Sequence, residues 1–183
     1  MRIVLIVVAF VSALALGVVL WLRPLAEGPP VMVLEHEIEI EGTLEQVWNV
    51  FMDADRLGEW NPYLLELTGE VRVGGEIEIL IVQDNWDEPM RLAETVMALD
   101  PPNGFHWRGS MPPTGLFVTD HSFRLEALAP ERVRFVHREE FRGWLAGLLD
   151  ADEEGKAATL RAFRGMDEAL AARVAAEREG SSK

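Results

Sequence analysis

The chain has 183 residues, no cysteine, and 31 acidic against 17 basic residues, a formal net charge of -14. So acidic a surface repels nucleic-acid phosphates and anionic lipid headgroups, which excludes a nucleic-acid binder. The missing cysteines exclude disulfides and thiolate chemistry and fit either redox compartment.

The run from Ile3 to Leu22 carries no charge. At about 1.5 Å per helical residue it reaches roughly 30 Å, the thickness of a bilayer's hydrocarbon core. Arg2 and Arg23 flank it, and Trp21 sits where an interfacial aromatic belongs. A cleaved secretory signal has a shorter apolar region of about 7–15 residues and then a small-x-small site. Here the small residues Ser12, Ala13, Ala15 and Gly17 lie inside the run. A buried soluble helix would show a polar stripe. The expectation is therefore a transmembrane anchor over residues 1–23 and a single-pass membrane localisation. The flanking charges nearly balance and tilt only slightly toward an exported domain.

Residues 24–31 read as a linker, with Pro24, Pro29 and Pro30 stopping the helix. Residues 32–178 are long enough for one domain with its own core, and 179–183 read as a disordered tail. Val33 to Glu41 alternates between glutamates and apolar residues, a half-buried strand. Thr43 N-caps the next helix, with Gln46 at the capping-box position. Val47, Trp48, Val50 and Phe51 give that helix its apolar face. Asp53 to Pro62 is a short helical or turn segment.

Leu64 to Val73 and Glu76 to Val82 are expected strands. A three-residue loop, Gly74 to Glu76, pairs Val73 with Ile77 and Val71 with Ile79. After a polar turn, Gln83 to Pro89, come a strand from Met90 to Leu99, a turn from Asp100 to Gly104, and a short strand from Phe105 to Gly109. Ser110 to Leu116 is a loop with an apolar tip. Phe117 to Leu128 and Arg132 to Arg142 form a hairpin. A helix from about Asp152 to Glu177 carries an apolar stripe of Leu160, Phe163, Met166, Leu170 and Val174. A meandering antiparallel sheet must bury its apolar face, and this helix is the available cover. The fold class is therefore α+β.

Several segments together carry a resemblance. They are Thr43 to Trp48 after the first strand, Trp60-Asn61-Pro62, Val73-Gly74-Gly75, Leu99 to Pro102, Phe105 to Gly109, Asp120 to Leu125, and Glu139 to Gly143. In this order, closed by the long helix, the chain resembles the START-like (SRPBCC) superfamily, including its polyketide cyclase/dehydrase branch, over about Met32 to Glu177. The resemblance implies a helix-grip fold, an antiparallel sheet wrapped on a long C-terminal helix, with a largely apolar cavity between them. It implies a small hydrophobic ligand but no single chemistry.

The last hairpin can be read in register. A three-residue loop, Ala129 to Glu131, sets Ala127 opposite Val133, Leu125 opposite Phe135, Phe123 opposite His137, and His121 opposite Glu139. A carboxylate beside an imidazole would raise the histidine pKa and could set up an acid–base pair. A self-satisfied buried pair, or one that orients a ligand's polar head, fits the same residues. The four histidines lack metal-site spacing, so no metal and no cofactor is expected. Trp60, Trp107 and Trp144 are cavity or rim candidates, Trp48 a core residue, and Trp86 an exposed contact for a partner or lipid. Met111 to Phe117 could gate the cavity mouth.

The reading is a membrane-tethered module that binds a lipid, isoprenoid or polyketide-like molecule. Trp60, Ile77, Ile79, Trp107, His121, Phe123, Glu139, Phe141 and Phe163 are its ligand-binding candidates, and no residue is assigned as catalytic. Two alternatives stay open. One is a cyclase or dehydratase using His121 and Glu139. The other is a chaperone-like or assembly module without ligand, whose protein partner is unknown.

Overall fold

The computed structural model describes residues 17, 18, 21, 23–113 and 115–181. Seven antiparallel strands form one sheet in the order β1-β7-β6-β5-β4-β3-β2. They are β1 (Met32–Glu41), β2 (Leu64–Gly69), β3 (Glu76–Ile81), β4 (Met90–Asp100), β5 (Gly104–Met111), β6 (Phe117–Ala129) and β7 (Arg132–Arg142). Helix α1 (Leu44–Phe51), a 3-10 turn (Ala54–Arg56) and α2 (Leu57–Trp60) connect β1 to β2. Helices α3 (Ala146–Asp150) and α4 (Glu153–Ser181) close the chain, so residues 179 to 181 of the expected tail are helical.

Local sequence explains the first helix. Thr43 Oγ1 accepts from Gln46 N at 3.2 Å, and Gln46 Oε1 accepts from Thr43 N at 2.9 Å, a complete capping box. Val47, Trp48, Val50 and Phe51 are buried as the spacing requires. Phe163, Met166, Leu170 and Val174 of α4 are buried under the sheet, and the Phe51 ring meets Phe123 at a tilt and Phe135 edge to face. Packed apolar area of this kind is the main driving force for closing helices onto a curled sheet.

The last hairpin has the expected register, with Ala127 opposite Val133, Phe123 opposite His137 and His121 opposite Glu139. The β2–β3 register differs from expectation. Gly69, not Val73, pairs with Ile77, and Leu67 pairs with Ile79. Gly69 ends the strand at φ +101°, and a Cβ there would meet Glu76 O at 2.5 Å. Residues 70–75 then form a longer loop that hydrogen-bonds sideways, from Gly74 N to Val96 O and from Val96 N to Gly75 O. Val73 is left exposed.

The expected membrane anchor and localisation are corrected. Among the described residues no helix is long and apolar enough to cross a membrane. Of the run 3–22, only Gly17, Val18 and Trp21 are among the described residues. The helical residues 23–27 include Pro24, which does not stop the helix, and they carry an Arg23–Glu27 ion pair of 3.2 Å. The following segment lies against the domain: Arg142 Nε donates to Gly28 O, and Val31 N to Phe141 O.

Candidate functional site

A cavity of about 600 Å³ lies between the inner face of the sheet and the start of α4. Apolar side chains from every side make its wall, among them Leu34, Ile79, Ile81, Trp107 and Phe141. Its mouth is framed by Trp86 and Met90, by Met111 and Pro112, and by Leu149, Asp152 and Lys156. Trp86 is only partly exposed and lines the cavity, which corrects the expectation of a free surface contact. Trp144 is 52% exposed and lies outside it.

Of the ligand-binding candidates, Ile79, Trp107, His121, Glu139 and Phe141 line the cavity. Ile77, Phe123 and Phe163 are buried in the adjoining core, and Trp60 packs half-buried against that core. Strand alternation puts Leu92, Glu94 and Val96 on one face, and Glu94 lines the cavity as well. Tyr63 does too. Asn61 positions it: Asn61 Oδ1 accepts from Tyr63 N at 3.0 Å and from Leu64 N at 2.9 Å, an Asx-type turn.

The polar end of the cavity is electrostatically unusual. Burial, with Glu94 adding to it, pushes the Glu139 carboxyl up to about 8. Burial alone pushes Glu94 up to about 7. Burial also holds His121 well below the ordinary histidine value, helped by His137 and His106. His121 Nδ1 and Glu139 Oε1 are 3.8 Å apart. The pair is therefore a neutral imidazole beside a neutral carboxylic acid at pH 7, so burial reverses the upward shift of the histidine expected from a carboxylate neighbour. Tyr63 is raised by burial, by Glu139 and by Glu94.

Behind His121 runs a chain of short contacts. His121 Nε2 meets His137 Nε2 at 2.6 Å, His137 Nδ1 meets Asp167 Oδ1 at 3.0 Å, and Asp167 Oδ2 meets His36 Nδ1 at 2.6 Å. His137 and Asp167 are fully buried, while the His36 side chain is 21% exposed. Burial pushes Asp167 up to about 7 against the pull of its hydrogen bond to His36. With Asp167 ionised, the donors follow in order. His137 Nδ1–H gives to Asp167, so His137 Nε2 accepts from His121 Nε2–H, and His121 Nδ1 is left as an acceptor facing the Glu139 acid. The run thus links the cavity wall to the surface through groups that can each pass a proton.

Sequence reasoning missed Tyr63, Glu94, Asp167 and His36. Asp167 had a readable signal: it stands four residues after Phe163 and three before Leu170, a lone carboxylate inside the apolar stripe. Among the described residues no group of three or more His, Cys, Asp or Glu side chains could hold a metal ion.

The family profile described as "Polyketide cyclase / dehydrase and lipid transport" matches residues 32–176, so the chain belongs to that family. No curated protein matches the chain in sequence. Solved structures share the fold at low identity. A hypothetical protein of Helicobacter pylori superposes with a TM-score of 0.63 at 16% identity, covering 83% of this chain and 93% of that one. Norcoclaurine synthase of Thalictrum flavum, solved with a transition-state analogue, gives 0.60 at 13%, covering 80% and 96%. The di-domain ARO/CYC StfQ of the steffimycin biosynthetic pathway gives 0.60 at 16%, covering 81% of this chain and 52% of its own.

Proposed function

We propose that the protein binds a small hydrophobic molecule, lipid-, isoprenoid- or polyketide-like, in the cavity between sheet and α4. The observation that carries this reading is the cavity itself. About 600 Å³ of space is walled mainly by apolar side chains, with Tyr63, Glu94, His121 and Glu139 gathered as polar groups, the usual composition of a small-molecule site. Family membership and the cyclase neighbours support it. The open space weighs against a module filled by its own side chains. Native mass spectrometry of the full chain tests the reading. The expected spectrum holds a one-to-one complex with a small apolar molecule, retained on purification or taken up when offered. A bare chain that takes up nothing overturns it.

A second reading, a cyclase or dehydratase, is favoured by one feature. Glu139 is protonated at neutral pH beside His121, and His121 leads through His137 and Asp167 to His36. Glu139 would donate the proton, and with Asp167 protonated the donor order of the run reverses, so that His121 Nδ1–H faces Glu139 and resupplies it. This reading requires that Glu139→Gln abolish conversion of an offered polyketide-like substrate while leaving its binding intact.

A further inference from the structure

We propose that the occupant of the cavity is a hydrophobic amine whose ammonium group sits between the carboxyl groups of Glu94 and Glu139. The inference rests on the reading of the cavity as a ligand site and adds the chemistry of the ligand's head.

The two acids come from strands β4 and β7 and both line the cavity. Glu94 is 6% exposed, and its Oε2 is buried with no hydrogen-bond partner. Its carboxyl lies over Gly109, where a Cβ would stand 2.5 Å from that oxygen, so the backbone opposite is kept bare to admit it. Glu139 is 9% exposed, and among the described residues the basic group paired with it is His121 at 3.8 Å. The titratable groups beside the acids are Tyr63 from the segment after α2 and His121 from β6, with His137 of β7 and Asp167 of α4 continuing the run behind His121. Burial keeps both histidines uncharged at neutral pH. Among the described residues lining the cavity the only side chain with a fixed positive charge is Lys156. It stands at the mouth and is engaged by Glu153 at 2.8 Å and by Asp150.

Once ionised, two buried acids without a cation are costly unless something pairs with them. An ammonium offers three donors to four carboxylate oxygens. The Trp107 and Tyr63 rings in the same wall add faces that attract a cation. A carboxylate ligand would be repelled by the ionised acids, and an alcohol brings a single donor and no charge to them. Binding of the amine requires the acids to give up their protons. Its affinity therefore rises with pH through the range in which Glu94 and Glu139 ionise, about 7 to about 8. The ligand's own amine, like that of lysine, stays protonated to about pH 10.

Isothermal titration calorimetry of the full chain with decylamine, decanol and decanoate is the test. The expected result is decylamine binding at least about tenfold tighter than decanol at pH 8, with decanoate weakest. Decylamine affinity should fall by up to about tenfold between pH 8 and pH 7 and toward about a hundredfold per pH unit below pH 7, as first one and then both acids hold their protons, while decanol affinity stays level. Glu94→Gln should remove the preference for the amine over decanol, with an unchanged circular dichroism spectrum reporting that the variant is folded. Equal binding of the three probes, or amine affinity indifferent to pH, overturns the inference alone. If none of the three binds, the hydrophobic-ligand reading falls with it.

Discussion

The two faces of the sheet treat carboxyl groups in opposite ways. Asp120 and His121 are neighbours on β6, and strand alternation points them apart. On the outer face Asp120 accepts from Arg108 Nε at 2.8 Å, Arg108 Nη2 at 2.9 Å and His106 Nε2 at 2.9 Å, and Arg142 also pairs with it. Burial alone would raise this acid, but the hydrogen bonds from His106 and Arg108 outweigh it and bring it down to about 2. On the inner face Glu139 and Glu94 are buried as deeply with no such cage, and burial lifts them to about 8 and about 7. Similar burial gives opposite charge states. One face uses its acid as structure, and the other holds its acids uncommitted, a state that suits a site awaiting a partner.

The largest effect that would break this contrast is on the outer face. Asp120→Ala leaves Arg108, Arg142 and His106 crowded without their anion and should cost roughly 3 kcal/mol in urea unfolding at pH 7. Next comes the pH dependence, which should run in opposite directions. The folded pKa of Asp120 is depressed, so its contribution is present above the unfolded carboxyl value near 4 and is lost as pH falls through about 2. The folded pKa of Glu139 is raised, so its contribution is full below the unfolded value and is lost as pH rises through about 8. Glu139→Gln should therefore gain on the wild type by roughly 2 kcal/mol between pH 5 and pH 9 in urea titrations.

A smaller change sharpens the comparison inside the cavity. Gly109→Ala puts a methyl group against the Glu94 carboxyl and should swing it away. The cost should be about 1–2 kcal/mol, with the Glu94 carbon resonance titrating nearer an ordinary glutamate. Smallest is Thr43→Ala, far from either face. It removes the capping box and should cost about 1 kcal/mol without altering any carboxyl titration.

Much of this was legible in the chain because it is local or periodic. The capping box needs only Thr43 and Gln46, and the β6–β7 register follows from alternation and one short turn. The β2–β3 register was not legible, because Gly69 and Gly74-Gly75 all offered turns and only the sideways bonds to Val96 choose between them. The His121–Glu139 juxtaposition could be read, but its neutrality could not, since the missing cation is a property of the assembled wall. Glu94 reaches that wall only through the curl of the sheet. Asp167 stood in the helix stripe, but His36 and His137 meet it only when β1 and β7 pair.

The central claim is that the cavity takes up a hydrophobic molecule, and titration of the full chain with a neutral fluorescent long-chain alcohol tests it most directly. The predicted result is saturable one-to-one binding that weakens at least about tenfold in Thr119→Trp, where a bulky ring from the cavity wall fills the space. The circular dichroism of that variant should be unchanged. Unsaturable binding, or equal binding by a correctly folded Thr119→Trp, would contradict the account.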